Sequence, residues 1–466
     1  MAPFRQLRRK SPVFIAGKEL GDVLLKIGFF QVTNPLDVQW FPPLSFGYLK
    51  SYVEREFGRE IDFFRLTEEE LFQRSFDLLA LSTASQDFGA CCELIRRFRE
   101  VNSDCPIILG GHHITYMPET LPLEVNAGVM GEGEATFAEI VGIFLREEGK
   151  LRLRKLREIP GVVFWEDGKM VKTKPRPIIE NLDTLPMPHR EIGEVPYLFS
   201  SRGCPFRCAF CTSSTFWGKM RYVSAEYVVR EIERIVDQYG ERVSHLTFMD
   251  DLMTLNRTRL RRMAILLNER GLSENVSFSM AVKAGRVDDD LCGIFKAMNV
   301  SDVFFGAESG VEWILQYLKG GIQTVDQNQA AIDTLASQQI PVSLSMIVGV
   351  PGEKEEDLHK TYRFVIENLK ARKIFVASVN ILMPMPGTLI WDLALKKRVF
   401  NLETIQWDRL RCFTSYRNST IRNIRDWISV RKETQSYYLN EDGIPHERLL
   451  TLMEEYETEI QSIQNS

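Results

Sequence analysis

Histidine is scarce in this chain of 466 residues, which holds six. A structural zinc site wants four nitrogen or sulfur ligands, usually as two paired clusters. No second Cys-x-x-Cys exists to supply them, and the histidine nearest the cysteine triplet, His189, is upstream and proline-flanked. Long apolar runs are missing too. The stretch Val13 to Ala16, behind the basic run Arg5 to Lys10, is too short for a signal-peptide core. No segment approaches the length of a membrane-spanning helix. Nor is there an excess of positive charge: 58 Lys and Arg face 63 Asp and Glu, a net charge of −5. Nothing here advertises a nucleic-acid backbone as partner. Internal repeats and low-complexity segments are absent. The expectation is a protein of the reducing cytoplasm, with no membrane span and no nucleic-acid partner.

What is present is ordinary globular material, 44% hydrophobic and 26% charged. The length suggests roughly two to four domains. Residues 22–150 alternate strand and helix, with buried strands expected at Asp22–Phe30, Asp77–Ser82 and Pro106–Leu109. A helix over Phe88–Glu100 places Phe88, Cys91, Cys92, Ile95 and Phe98 on one stripe. Such alternation predicts a doubly wound, Rossmann-like α/β domain, with ligands beyond the strand carboxyl ends. Small and polar residues stand at those ends: Ser82, Thr83 and Ser85, then Gly110, Gly111 and His112, then Gly131 and Glu132. Residues 151–196 read as a hairpin around Asp167-Gly168 and a proline-rich linker. Residues 197–395 alternate again, in six strand–helix units, which predicts a full or partial (β/α)6 barrel of the TIM type with chemistry at its strand carboxyl ends. The remainder, 396–466, reads as a mainly helical capping region rich in aromatics, among them Trp407, Tyr416, Trp427, Tyr437 and Tyr438. Residues 1–21 form an N-terminal extension.

The chemistry enters with Cys204-Pro-Phe-Arg-Cys208-Ala-Phe-Cys211, just after the first barrel strand. Three thiolates can hold three corners of a cubic iron–sulfur cluster; a missing fourth leaves one iron open to a substrate or cofactor. A disulfide is out of place in a chain without a secretory signal. A grouping of core cysteines is the plainer alternative. The other five cysteines, Cys91, Cys92, Cys105, Cys292 and Cys412, are scattered and read as core or incidental.

Ser200-Ser-Arg-Gly-Cys-Pro-Phe-Arg-Cys-Ala-Phe-Cys211 resembles the cluster motif of the radical S-adenosylmethionine (radical SAM) superfamily, including Phe210 before the last cysteine. Later strand ends resemble it in the same order: Phe248-Met-Asp-Asp251, Gly306-Ala-Glu-Ser-Gly310, Ser345 to Glu353, and Met383 to Thr388. The resemblance implies a [4Fe-4S] cluster on Cys204, Cys208 and Cys211. It implies that the cluster cleaves S-adenosylmethionine to a 5′-deoxyadenosyl radical. Asp250 or Asp251 would accept from the methionine ammonium, Glu308 and Ser309 would meet the ribose, and Ile347, Gly349 and Glu353 would lie near the adenine. Lys283 or Arg286 would meet the methionine carboxylate. Residue types alone leave plainer readings open: an N-cap for Asp250-Asp251, a barrel-mouth ion pair for Glu308, a tight loop at Gly349 and Gly352, and a solvated charge at Lys283. The chain departs from the superfamily pattern in having Met249-Asp250-Asp251 where glycines and a glutamate are usual. Its Glu353 stands one residue late.

The N-terminal region resembles the cobalamin-binding branch of that superfamily, through GGHHITYMPE, MGEGEATF and the linker LPMPHR. That implies cobalamin at Ser82, Thr83, Ser85, Gly110, Gly111, His112, Gly131 and Glu132. The loop Gln31 to Leu36 has no histidine, so cobalt would not be ligated from it. The branch implies methyl transfer to an unactivated carbon. Radical cyclisation, rearrangement or oxidation stands beside it, as do a methylthiotransferase-like activity and a non-catalytic cofactor sensor. An external electron donor such as a flavodoxin or ferredoxin is implied. The substrate, small molecule or peptide, and the oligomeric state stay open.

Overall fold

The computed structural model describes residues 24–33, 43–58, 61–147, 149–191, 196–410 and 437–464, with a short hairpin of Phe14–Ile15 and Lys18–Glu19. The expectations for Tyr416, Trp427 and Cys412, and for most of the N-terminal extension, lie outside these residues.

Seven strands build the first sheet: Leu25–Gln31 (β1), Ile61–Arg65 (β2), Leu78–Ser82 (β3), Ile107–Gly110 (β4), Ala127–Val129 (β5), Val162–Glu166 (β6) and Lys169–Lys172 (β7). Their order is β2-β1-β3-β4-β5-β6-β7. β2, β1, β3, β4 and β5 run parallel, and the last two strands are antiparallel. The chain order reverses beside β1, the switch point where doubly wound sheets open a ligand crevice. Near-continuous apolar runs such as Leu78-Leu-Ala-Leu81 fit strands buried on both faces. One face is covered by helices α1 (Leu44–Phe57) and α5 (Gly133–Arg146), through Phe46, Val53, Phe137 and Val141. The other is covered by α3 (Phe88–Val101) together with α2 (Glu68–Gln73). A capping box of Thr67 and Glu70 starts α2. The short α4 (His112–Tyr116) follows β4 at the carboxyl edge.

The expected hairpin is part of this sheet rather than of a linker. β6 pairs Gly128 with Val163 and so covers the β5 edge, with Trp165 donating to the Leu121 carbonyl at 2.9 Å. The proline-rich stretch behind it is fastened down at both sides. His189 donates its N–H to the Gly47 carbonyl at 3.0 Å, and a Cβ on Gly47 would stand 2.2 Å from the His189 carbonyl oxygen. Arg190 forms a buried ion pair with Glu231 at 2.5 Å.

The second sheet is Tyr197–Leu198 (β8), His245–Phe248 (β11), Ser277–Ala281 (β12), Val300–Glu308 (β13), Val342–Val348 (β14) and Val376–Ile381 (β15), parallel and in sequence order. This is the expected six-unit partial barrel. The first expected strand, Tyr197–Ser200, stops early at Leu198. Ser201–Arg202 (β9) then turns away to pair antiparallel with Arg221–Tyr222 (β10). That small hairpin frames the cysteine loop. Helices α6 (Ala225–Tyr239), α7 (Glu312–Lys319), α8 (Glu355–Lys370) and α9 (Leu389–Lys396) belong to the outer layer. Ser224 caps α6, whose Val228, Val229, Ile232 and Ile235 enter the core.

The tail's helix α10 (His446–Gln464) packs on α8, and its Leu449, with Tyr438, stands against Gly349 beyond the end of β14. Tyr362 and Tyr456 stack with centroids 4.1 Å apart. Trp407 of the tail reaches the first domain, edge-on to His113 at 4.5 Å.

Candidate functional site

β9 and β10 pinch the neck of the cysteine loop. Gly203, at φ +89, passes the Lys219 carbonyl so closely that a Cβ would sit 2.9 Å from it. Inside the loop, Ala209 donates to the Leu318 carbonyl at 2.8 Å and accepts from Ile390 at 3.1 Å. These bonds tie the loop to the ends of α7 and α9. Phe210 packs against the apolar cluster that includes Ile314, Leu318, Ile390 and Trp391. Cys204, Cys208 and Cys211 are half-buried. Burial pushes the Cys204 thiol up to about 11 and raises Cys208, against the pull of Lys319. Cys211 lies 3.3 Å from Ser213 Oγ, which donates to Asp251 at 2.6 Å. Among the described residues no three His, Cys, Asp or Glu side chains close round a single ion. A lone zinc needs its sulfurs about 2.3 Å from one point; a four-iron cube takes them at separate corners.

Asp250 and Asp251 part company. Asp250 is buried, and its oxygens accept from Ser200 N–H at 3.0 Å, from the Ser200 hydroxyl at 3.0 Å and from the Ser201 hydroxyl. Burial raises its pKa in spite of those bonds. It braces the break between β8 and β9, with both oxygens taken by Ser200 and Ser201. Asp251 is exposed and sits beside Cys211 through Ser213.

The end of β13 holds the most constrained residue of the site. Glu308 is buried at φ +60, a strained setting for a side chain with a Cβ. Its carboxylate folds back over Gly306, where a Cβ would meet Oε1 at 1.9 Å. Lys319 closes on it at 3.1 Å and donates to the Gly306 carbonyl at 2.7 Å. Gln323 braces the same carbonyl at 2.8 Å and accepts from Lys283 at 3.1 Å. Lys283 lies 4.5 Å over the Phe206 ring, and burial, with Lys319 nearby, lowers its ammonium to about 8. Lys319 and Gln323 carry no motif of their own; only their spacing after Gly306-Ala-Glu-Ser-Gly310 could have drawn attention to them. Ser309 is spent internally, on Thr361 Oγ1 at 2.9 Å and Val311 N–H at 3.1 Å. Arg286 is exposed and outside this group.

Around β14 the expected contacts have internal partners. Ile347 is buried with Ile314 and Leu382. Gly349, at φ +75, makes room for Tyr438, which a Cβ would approach at 2.8 Å. Glu353 is wholly buried and accepts from Gly349 and Val350 N–H groups. Its second oxygen has no partner among the described residues, and burial pushes its pKa to about 8.

At the carboxyl edge of the first sheet, no described residue comes within 4 Å of where a Cβ on Gly131 would stand, and none nearer than 3.9 Å to one on Gly110. Among the described residues these two and half-buried Ser82 leave a mouth at the ends of β3, β4 and β5. Gly111, at φ +103, instead touches the Thr83 backbone, 2.4 Å from its carbonyl oxygen. Thr83 is buried; its hydroxyl donates to the Ala84 carbonyl at 3.1 Å and its N–H to the Gly110 carbonyl at 3.2 Å. Ser85 is buried on His113 Nδ1 at 3.1 Å; the other ring nitrogen meets Thr120 at 2.8 Å. Burial lowers His113 to about 3, and Phe88 stacks on it at 3.7 Å. His112 turns the other way, toward the cysteine loop, with its ring 4.1 Å from Phe216. The residue is exposed, yet partial loss of water around its ring lowers its pKa, against the pull of Asp251. Glu132 does not line the mouth. It is buried between Arg202 and Arg221, at 2.8 and 2.9 Å.

Comparison with known proteins gives this geometry its setting. The Radical SAM superfamily pattern matches residues 198–365, and the B12 binding domain pattern matches residues 41–141. An uncharacterized methyltransferase of Pyrococcus horikoshii is 29% identical over 429 residues, 85% of this chain and 88% of that protein. The anaerobic magnesium-protoporphyrin IX monomethyl ester cyclase of Cereibacter sphaeroides is 26% identical over 311 residues, 63% of this chain and 50% of the cyclase. Among solved structures, the radical S-adenosylmethionine methyltransferase TsrM from Kitasatospora setae, with cobalamin and a [4Fe-4S] cluster bound, shares the fold. Its TM-score is 0.63 at 17% identity, covering 81% of this chain and 76% of that one. Both domain patterns fall on the two sheets described above, in the same order. The chain is a radical SAM superfamily enzyme with an N-terminal B12-binding domain, and its cofactors are a [4Fe-4S] cluster, S-adenosylmethionine and cobalamin.

Proposed function

We propose that the enzyme transfers a methyl group to an unactivated carbon of its substrate, with the cluster on Cys204, Cys208 and Cys211. The observation that carries this reading is the cysteine loop itself, tied between a barrel mouth and an open-mouthed B12-binding domain. His112 of that domain stands against Phe216 of the loop. The cofactors supply one-electron cleavage of S-adenosylmethionine and a transferable methyl group; the chain supplies position, charge and exclusion of water. Lys283 and Lys319 offset the negative charge of three thiolates. Glu308 accepts from the ribose hydroxyls and Asp251 from the methionine ammonium, both as charge-assisted bonds. Gly110, Gly131, Ser82 and His112 hold cobalamin. The similarity to the P. horikoshii methyltransferase along most of both chains supports methyl transfer.

The similarity to a cyclase keeps a second reading in view, oxidative cyclisation without a methyl product. The two separate by products and by metals. The protein is purified anaerobically with iron, sulfide and cobalamin supplied, and bound iron and cobalt are measured. The expected result is about four irons and one cobalt. Changing the three cysteines to Ala should remove the iron and leave the cobalt. Iron without cobalt would overturn methyl transfer, and no iron would overturn the cluster assignment.

His113 gives a simpler prediction. Its two ring bonds and the Phe88 stack are lost in His113→Ala, which should destabilise the first domain by about 2–4 kcal/mol. Because the folded pKa is below the unfolded one, His113 also favours unfolding as pH falls below about 6.5. The variant should show a weaker loss of stability between pH 7 and 5 in urea titrations than the parent does.

A further inference from the structure

The cysteine loop is held to the B12-binding domain by a closed set of buried charges. Arg202 stands one residue before Gly203-Cys204, and Arg221 stands where the loop returns. Arg202 donates to Glu132 Oε1 at 2.8 Å and to Glu134. Arg221 donates to Glu132 Oε2 at 3.0 Å and to the Ile179 carbonyl at 2.6 Å. Ile179 N–H returns to the same Glu132 oxygen at 2.7 Å. All four charged side chains are buried, and two cations balance two anions. Although burial opposes its charge, Glu132 is kept below the ordinary carboxylate range by Arg221 and Arg202. Glu132 sits in the turn between β5 and α5 of the first domain, and its one carboxylate grips both ends of the cysteine loop.

Buried ion pairs are weak sources of net stability, but they fix register, since each guanidinium fork accepts only one geometry. A second, smaller tie points the same way. Tyr116 of α4 donates to the Thr212 carbonyl, next to Cys211, at 3.0 Å.

We propose that Glu132 is a positioning residue: through Arg202 and Arg221 it fixes the distance and orientation of the cysteine loop relative to the B12-binding domain, and so the spacing of the two cofactor sites. The inference rests on the reading that the cysteines hold the cluster and the first-domain mouth holds cobalamin.

The test compares the parent with Glu132→Gln, and with Glu139→Gln as a control, since Glu139, exposed on α5, pairs with Arg176 of the proline-rich stretch and not with the cysteine loop. Two readouts are taken on the anaerobically loaded protein. One is amide hydrogen exchange over residues 203–220. The other is the width of the distance distribution between the reduced cluster and cob(II)alamin, by pulsed EPR. Glu132→Gln should speed exchange in that loop about tenfold and leave the barrel strands unchanged. It should also broaden the distance distribution, at parental iron and cobalt content. Glu139→Gln should move neither. Unchanged loop exchange and an unchanged distribution would overturn the proposal. Should Glu132→Gln fail to fold, Arg221→Lys, which keeps the charge and loses the fork, decides by the same readouts. If the parent holds iron but no cobalt, the functional reading fails, and the exchange measurement still judges the clamp.

Discussion

Gly306→Ala should weaken S-adenosylmethionine binding by about 10- to 100-fold while the iron content stays at the parental level. The expectation follows from space. The position where the new methyl would stand is 1.9 Å from Glu308 Oε1 and 3.3 Å from Lys319 Nζ. Neither backbone nor a packed ring is in the way, only the ends of two side chains, so the chain can yield by swinging the carboxylate out. The cost to the fold is then the loss of one buried pair with a strained Glu308 already at φ +60. That should lower the melting temperature by a few degrees and leave the domain intact. The cost to ligand binding is larger, because a charge-assisted bond to a ribose hydroxyl is worth about 1.5–3 kcal/mol. Glu308→Gln should reproduce the affinity loss in part, since the amide can still accept one bond. Equilibrium binding of S-adenosylmethionine to the iron-loaded variants measures both. Parental affinity in Gly306→Ala would mean that Glu308 serves only Lys319 and the ion pair is structural.

The fate of Gly306 and Glu308 shows what a sequence discloses and what it hides. The alternation of strand and helix placed both sheets, because strands buried on two faces are written as continuous apolar runs. Val342–Val348 was bounded to the residue, and Leu78–Ser82 to within one. The cysteine triplet was legible because three thiols at short spacing have few other uses. Partners far apart in the chain were not. Whether Asp250 or Asp251 faces the loop depends on Ser200 and Ser201, some fifty residues earlier, which take both oxygens of Asp250. Gly349 reads as an approach to a flat ligand, yet the residue that fills the space is Tyr438. Glu132 reads as a mouth residue, and its true neighbours, Arg202 and Arg221, lie in the other domain. Each of these residues was found by its type; its use was set by a contact that no local pattern encodes.

Glu353 carries the second large effect, on stability against pH. Its carboxyl is wholly buried, with one oxygen on the Gly349 and Val350 N–H groups and the other without a partner among the described residues. Burial pushes its pKa from the ordinary value of 4.5 to about 8. The folded chain therefore holds this proton where the unfolded chain has released it. Below about pH 4.5 both states are protonated and the site adds no slope; between there and about pH 8 stability falls as pH rises. The full penalty is roughly 2–4 kcal/mol, taking the shift at a discount. It falls on a particular place. Asn440 donates to the Glu353 carbonyl and accepts from Gly352, each at 2.8 Å, so the ionised carboxylate strains the contact between the β14 loop and the segment leading into α10. Glu353→Gln keeps an acceptor for the two backbone donors and cannot ionise. Urea titrations of parent and variant from pH 5 to 9 should diverge steadily, with Glu353→Gln gaining relative stability up to about pH 8 and none beyond. Comparing the two removes the contributions of every other titrating group, His113 included. Parallel curves would place the Glu353 proton elsewhere: the carboxyl would already be ionised at pH 5, and its unpaired oxygen would need a buried water to satisfy it.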